Sequence, residues 1–143
     1  MARVKLKFPD EKPLFSTIIP VRVGDLNYGN HVGNDSVLSL IHEARMQFMH
    51  HHGFTELNIN GLGLIMADVM IAYKGESFYG DQLEIALYAE EITQFSFDLL
   101  YKITTFRNGN HLDIAHAKTG MVCFDYSNRK IADIPGVLRQ IFQ

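Results

Sequence analysis

The sequence predicts an α+β domain in which one long helix packs on a curled antiparallel sheet of five to six strands. Three observations support this prediction: an early strand-like segment, one segment with helical periodicity, and a series of strand-like segments after it. The one long helix has no long helical neighbour, so its apolar face has to be buried on a sheet. The 143 residues are expected to form a single domain, 1–143.

Composition and charge narrow the class of protein. A hydrophobic content of 47% is ordinary for a globular chain, and a net charge of -3 lacks the basic footprint of a nucleic-acid binder. The single Cys123 cannot form an internal disulfide, which favours a reducing compartment. The sequence contains neither a membrane-length apolar run nor a signal-peptide pattern, so we expect a cytoplasmic protein without a membrane or nucleic-acid partner.

The N-terminal part predicts an arm followed by a strand. Residues 1–13 alternate basic and apolar side chains before Pro13, and we expect them to form a loose arm. Residues 14–23 are rich in β-branched side chains, which are typical of a strand. Pro20 cannot donate to a strand ladder, so this strand is expected at a sheet edge or a bulge.

The long helix is predicted over residues 34–52. Asn34 or Asp35 can cap its N-terminus, because a short side-chain oxygen reaches unpaired backbone N–H groups. Gly53 supplies a C-terminal stop. The helix carries a single apolar face, which predicts that it packs on the sheet through that face. Residues on this face are Val37, Ile41, Ala44 and Phe48.

Strand patterning dominates the second half of the chain. The dipeptide Asn108-Gly109 suits a type I′ turn, which predicts a hairpin. Short turns between consecutive strands predict an antiparallel meander, and residues 136–143 resemble a short final helix. The predicted strands are 63–76, 81–92, 96–109 and 111–126.

A polar stretch, residues 24–35, lies between the first strand and the helix. It contains Asp25, Asn27 and His31, directly before a helix N-terminus whose free N–H groups and positive dipole end favour a developing negative charge. Imidazole accepts a proton near neutral pH, and Gly33 allows a substrate carbonyl to approach the backbone closely. This combination is expected of an active site at a helix N-terminus, and a solvated loop would also account for it.

The same stretch carries a family resemblance. The element order and the segment from Arg22 to Phe48 resemble the hotdog fold, in which the sheet wraps around a central helix. They are similar specifically to the 4-hydroxybenzoyl-CoA thioesterase group and to plant acyl-ACP thioesterases. Those proteins carry a D-x-D-x-x-x-H-x-x-N pattern before a helix with an E-x-A-R-like segment. The matching residues here are Asp25, Asn27, His31, Asn34, Glu43, Ala44 and Arg45.

The resemblance implies an acyl-CoA or acyl-carrier-protein thioesterase that forms a homodimer or homotetramer with sites at the subunit interface. Activated water or a carboxylate would attack at the helix N-terminus, and the N–H groups around His31 to Gly33 would polarise the thioester carbonyl. Gly33 and Asn34 would bind the substrate. Neither a metal nor a separate cofactor is implied, since coenzyme A is part of the substrate.

One residue departs from the family pattern. Asn27 stands where the family has its usual catalytic acid, and an amide is neither a nucleophile nor a general base at neutral pH. The resemblance therefore leaves Asp25, His31 or Glu43 as the base, with Asn27 holding water or orienting the thioester.

Each candidate residue also has an ordinary structural interpretation. Asp25 can be a turn residue, Asn34 the helix N-cap, and His31 a polar residue packed at the helix start. Glu43 falls on the helix side away from the apolar face, which predicts exposure to solvent.

Two other functions stay open. An enoyl-thioester hydratase of the same fold also uses an Asp and a His, and a non-catalytic acyl-thioester binder would explain the loss of the acid at Asn27. The product distinguishes them, because a thioesterase releases free thiol and a hydratase releases a hydrated acyl thioester.

The remaining polar and aromatic features have weaker functional signals. Neighbours among the histidines 50–52 point about 100° apart on a helix and cannot chelate a metal together. His111 and His116 lack ligand partners at zinc spacing, and Cys123 is expected in the core. Four aromatics are predicted in the core or a dimer interface, namely Phe95, Phe97, Tyr101 and Phe106. Cations available for coenzyme A phosphates are Lys74, Arg107, Lys118, Arg129 and Lys130.

Overall fold

The computed structural model describes residues 3–143 and confirms the predicted α+β class. A short 3-10 turn, Val23–Asp25, separates the first strand from the long helix. The two-residue strand β6 was not predicted from the sequence. The elements are β1 (Phe15–Pro20), α1 (Asn34–His51), β2 (Gly63–Tyr73), β3 (Gln82–Glu90), β4 (Ser96–Arg107), β5 (Asn110–Asp125), β6 (Lys130–Ile131) and α2 (Gly136–Ile141).

The strands form one antiparallel sheet in the order β1-β3-β4-β5-β2, with β6 paired to the end of β5. The predicted meander holds for β3, β4 and β5 and is wrong for β2, which pairs with β5 instead of β3. The connection 74–81 is long enough to cross between strands, and β1 occupies the edge of β3. Pro20 lies on an edge strand, as predicted, because its missing N–H costs nothing there.

The core lies between α1 and one face of the sheet. Val37, Ile41, Ala44 and Phe48 are buried, which confirms the predicted apolar face of the helix. They share one cluster with the inward-facing strand residues. Burial of this face, more than helix propensity, fixes α1 against the sheet.

Turn residues act as the sequence predicts at two positions. Gly53 has a φ of 81° directly after α1, a conformation that glycine adopts without strain. Asn108 and Gly109 have φ angles of 54° and 78°, as a type I′ turn requires. The hairpin between β4 and β5 therefore forms as predicted.

The N-terminal arm crosses the sheet face opposite α1. Residues 1 and 2 of the predicted arm lie outside the described residues, and residues 3–13 have neither helix nor strand structure. The Phe8 ring packs 5.4 Å from the Tyr88 ring and 5.0 Å from the His116 ring, with the Lys102 ammonium 5.8 Å from its centre. The arm is therefore docked on the sheet.

No helix within residues 3–143 is long and apolar enough to cross a membrane.

Candidate active site

The polar stretch between β1 and α1 folds into a small hairpin. Leu26 and Val32 form an isolated antiparallel bridge at its base. The Asn27 N–H donates to the His31 carbonyl over 2.9 Å, and the Asn30 N–H donates to the Asn27 carbonyl over 3.0 Å. Asn30 accepts the left-handed conformation that closes the turn, with a φ of 64°. The bridge, the two backbone hydrogen bonds and the Asn30 turn thus hold the side chains of Asn27 and His31 at the start of α1.

The hydrogen bonds of His31 and Asn27 fix what each side chain offers. The His31 Nδ1 atom lies 3.2 Å from the Val32 carbonyl oxygen, which can only accept a hydrogen bond, so Nδ1 donates. A neutral ring therefore keeps its lone pair on Nε2, which is the form a general base requires. The Asn27 Oδ1 atom accepts the Gly29 N–H over 2.8 Å, which leaves the Nδ2 group to donate.

Gly29 brings these two side chains close together. A Cβ on Gly29 would lie 3.1 Å from the Asn27 Oδ1 atom and 3.3 Å from the His31 Nε2 atom. Both polar atoms therefore border the same small space above the Gly29 Cα atom, and the missing side chain keeps that space open.

Asp25 acts as a turn residue, which is its ordinary structural interpretation from the sequence. Its carboxylate is buried and accepts hydrogen bonds from the Arg22 backbone N–H over 2.9 Å and from the Arg22 guanidinium over 3.2 and 3.3 Å. The Asp25 backbone carbonyl accepts the Gly33 N–H over 3.0 Å. These bonds fix the 3-10 turn against the start of α1, so Asp25 positions the loop that carries His31.

The N-terminus of α1 has no side-chain cap. The predicted caps Asn34 and Asp35 are wrong, because Gly33 occupies the cap position and Asn34 is the first helical residue. The Gly33 carbonyl accepts the N–H groups of Ser36 and Val37. Within residues 3–143 the N–H groups of Asn34 and Asp35 have no acceptor, so they remain available to a ligand.

The N–H donors expected between His31 and Gly33 are already occupied in part. The Val32 N–H donates to the Ser77 carbonyl over 2.9 Å, and the Gly33 N–H donates to the Asp25 carbonyl. The expectation that these groups polarise a substrate carbonyl is therefore wrong for Val32 and Gly33. The free donors are the N–H groups of Asn34 and Asp35, which follow Gly33 in the first turn of α1.

A cavity of about 310 Å³ opens beside this helix end, and we name it the α1 cavity. It brings His31 and Asn34 together with residues from the end of β2 and from the connection 74–81. Neither Asp25, Asn27 nor Glu43 lines it. Its lining residues are His31, Val32, Asn34, Val37, Tyr73, Lys74, Gly75, Glu76, Ser77 and Ile114.

Several lining residues were not identified from the sequence. Tyr73 ends β2, and its hydroxyl donates to the Asn34 carbonyl over 3.1 Å. Ser77 lies in the connection 74–81 and Ile114 in β5. The crossing of β2 to β5 brings these residues to the helix N-terminus, and no local sequence pattern signals that crossing.

Glu43 lies on the exposed side of α1, as its helical position predicts. Its carboxylate accepts a hydrogen bond from Gln47 over 2.8 Å. It borders a separate open groove that also contains Phe15 and His50. Within one chain, the structure therefore does not bring Glu43 together with His31.

The motif residue Arg45 has a structural position. It is buried, pairs with the Glu56 carboxylate and donates to the Tyr101 hydroxyl over 3.1 Å. The Tyr101 hydroxyl also bonds to Thr119 over 2.8 Å. This buried network ties α1 to the sheet, and every polar group in it has a partner, which is the condition for a stable polar core.

The predicted aromatic and cysteine positions divide between core and surface. Phe97 and Tyr101 are buried as predicted, whereas Phe95 and Phe106 are exposed. Cys123 is buried, and burial raises the pKa of its thiol to about 11. The thiol is therefore protonated at neutral pH and is a poor nucleophile.

The cations proposed for phosphate binding are not equally free. Arg107 pairs with Asp81 over 2.6 Å, and Lys118 pairs with Asp68 over 2.9 Å. Lys74 is exposed at the α1 cavity. Across residues 3–143, no group of three or more His, Cys, Asp or Glu side chains is placed to hold a metal ion.

Comparison with known proteins assigns the class. The family model of the thioesterase-like superfamily matches residues 21–142. A candidate esterase of Aquifex aeolicus (strain VF5) is 30% identical over 103 residues, which cover 71% of this chain and 76% of that protein. The chain therefore belongs to the thioesterase-like superfamily.

Solved structures of low sequence identity share the fold. A 1,4-dihydroxy-2-naphthoyl-CoA thioesterase from Synechocystis superposes with a TM-score of 0.79 at 21% identity, covering 90% of this chain and 94% of that one. A candidate thioesterase from Pseudomonas aeruginosa gives a TM-score of 0.83 at 20% identity, covering 92% and 100%. The fold is the hotdog fold, as the resemblance implied.

Proposed function

We propose that this protein hydrolyses an acyl-CoA thioester to the free acid and coenzyme A, with the acyl group in the α1 cavity. One observation carries the proposal. The cavity joins a histidine whose Nε2 atom is free to accept a proton to a helix start whose first N–H groups are unoccupied. Membership of the thioesterase-like superfamily supports the same reaction class.

The proposed reaction uses water as the nucleophile. His31 Nε2 accepts a proton as the water oxygen bonds to the thioester carbonyl carbon. The carbonyl oxygen becomes an oxyanion, which the Asn34 and Asp35 N–H groups and the dipole of α1 stabilise. Collapse of this intermediate breaks the carbon–sulfur bond, and the proton on His31 passes to the leaving thiolate. The products are one carboxylic acid and one thiol.

Asn27 takes part in this scheme without acting as a base. Its Oδ1 atom borders the same space as His31 Nε2 and has a lone pair beyond the one bound by the Gly29 N–H, so it can accept a hydrogen bond from the attacking water. Asp25 acts through the loop, because its carboxylate fixes the turn that precedes the helix. Within one chain, Glu43 has no place in the proposed step.

Lys74 is the cation that we propose for a coenzyme A phosphate. It lies at the α1 cavity, whereas Arg107 and Lys118 are held by carboxylates. An ammonium at this position would attract the phosphates of the carrier while the acyl group enters the cavity.

We further propose that two copies pair through β2. This edge strand exposes Met66, Val69 and Tyr73, whereas the other edge strand, β1, is shorter and ends at Pro20. An open, apolar edge is an association surface, and pairing with a second copy removes it.

The proposal is tested with a panel of acyl-CoAs of increasing chain length, in which a thiol-reactive dye measures coenzyme A release. Release well above the uncatalysed rate, with the free acid as second product, supports thioester hydrolysis. Binding without release indicates an acyl-thioester binder. Water addition to an enoyl-CoA without thiol release indicates a hydratase, and either result contradicts the proposal.

A further inference from the structure

Ser77 carries a buried hydroxyl that is not hydrogen-bonded to any group within residues 3–143. The residue is 2% exposed, and its Oγ atom has no hydrogen-bond partner among the residues that the structure describes. A buried hydroxyl without a partner is unfavourable, and native proteins rarely keep one. The usual partner of such a group is a bound molecule, either water or a ligand.

The position of Ser77 indicates where that partner binds. Ser77 lines the α1 cavity, and its carbonyl accepts the Val32 N–H over 2.9 Å, which fixes it directly beside the segment that carries His31. Its serine side chain was not identified as a site residue from the sequence, because the connection 74–81 is distant from His31 along the chain.

The α1 cavity is lined by both exposed and buried residues. Asn34, Tyr73 and Lys74 are exposed, and the free N–H groups of the helix start belong to Asn34 and Asp35. The other lining residues include Val32, Val37 and Ile114, which are all buried and apolar. Ser77 shares this buried group and is its one hydroxyl. An acyl group with its thioester at the helix start would therefore share this cavity with Ser77.

We propose that Ser77 is a specificity-determining residue that selects acyl groups carrying an oxygen substituent, a hydroxyl or an oxo group, beyond the thioester carbonyl. This inference rests on the proposed function for the placement of the thioester. Rotation about χ1 would turn the Ser77 Oγ atom toward the cavity, where a substituent oxygen would exchange a hydrogen bond with it, whereas a plain alkyl chain would leave the hydroxyl unpaired. The site thus distinguishes the two acyl groups by the cost of an unsatisfied polar group.

The test compares butyryl-CoA with its 2-, 3- and 4-hydroxy derivatives. Dissociation constants are measured by isothermal titration in the His31→Asn background, and kcat/KM is measured with the otherwise unchanged protein. We expect at least one hydroxy derivative to bind about tenfold more tightly than butyryl-CoA, the size of one neutral hydrogen bond. Ser77→Ala should reduce that ratio to about one, while affinity for butyryl-CoA is kept or increased.

Two further variants separate recognition from folding. Ser77→Cys keeps a side chain of similar size with a weak donor and should give an intermediate ratio. Ser16→Ala, on exposed β1, removes a serine hydroxyl away from the cavity and should leave the ratio unchanged. A preference that persists in Ser77→Ala, or equal binding of all four ligands to the protein with Ser77 intact, would overturn the proposal. Because the ratio is read from binding, failure of thiol release would count against the proposed function alone.

Discussion

His31 and Asn27 face each other across Gly29, with the His31 Nε2 atom and the Asn27 Oδ1 atom within 3.3 Å and 3.1 Å of the position that a Gly29 side chain would take. The first atom is a free proton acceptor, and the second is an amide oxygen that can accept a hydrogen bond from water in addition to the Gly29 N–H. A water molecule bound beside both atoms would be oriented by Asn27 and deprotonated by His31 Nε2. The missing family acid is thus replaced, in our proposal, by a histidine base and an amide that orients its water.

Gly29→Ala tests this arrangement directly. The added methyl group would crowd both side chains, so we expect kcat/KM for acyl-CoA hydrolysis to fall about tenfold, the cost of a misplaced catalytic group. Melting temperature should change little, because the loop is exposed. Gly24→Ala is the matched control, since its methyl group would meet no atom within 4 Å. Equal activity in both variants would show that the space above Gly29 is unimportant.

Asp25→Ala should act mainly on stability. Loss of the buried carboxylate leaves the Arg22 backbone N–H without its acceptor, and we expect the free energy of unfolding to fall by about 1–3 kcal/mol in denaturant titrations. Asp10→Ala, on the exposed arm, should change it by less than about 0.5 kcal/mol. If Asp25→Ala abolished turnover at unchanged stability, Asp25 would be a catalytic residue instead of a positioning one.

Because the Cys123 thiol is buried, we expect the free energy of unfolding to fall at high pH. Burial raises the pKa of its thiol from 9.0 to about 11, so the folded state favours the protonated thiol. The stability that the protonated thiol contributes is fully present below pH 9 and is lost as the pH rises through 11, because the thiol of the unfolded chain releases its proton first. Between pH 8 and pH 10, the unfolding free energy should fall by about 1 kcal/mol more in the original protein than in Cys123→Ala. Identical pH dependence in the two proteins would contradict the prediction.

The exposed edge of β2 predicts self-association. Light scattering after gel filtration should give a dimer or tetramer, and Val69→Lys should shift it toward the monomer by placing a charge on that edge. Ile18→Lys, on the exposed side of β1, is the matched control and should keep the assembly. A monomeric starting protein, or equal dissociation by both variants, would exclude pairing through β2.

Local patterns predicted the elements, whereas the site depends on topology. The apolar face of α1 and the Asn108-Gly109 turn are local signals, and both have the predicted structure. The path of β2 to β5 is set by long-range pairing, so the approach of Tyr73 and Ser77 to His31 could not be derived from spacing.

The polar stretch was identified correctly as the entrance to the helix, but its internal bonds were not. Glycine, with no side chain, took the cap position that the sequence assigned to Asn34. The Asp25 carboxylate is bound to the preceding Arg22, a contact three residues back that turn chemistry permits and spacing alone does not require.

The most direct test of the proposed mechanism is kcat/KM for the best acyl-CoA substrate in His31→Asn. An asparagine amide can keep the donation to the Val32 carbonyl but has no basic nitrogen, so folding should persist while the base is lost. We predict at least about a 100-fold loss of thiol release at unchanged melting temperature, with His50→Ala, an exposed histidine on α1, fully active. Thiol release in His31→Asn at the rate of the original protein would contradict His31 as the base.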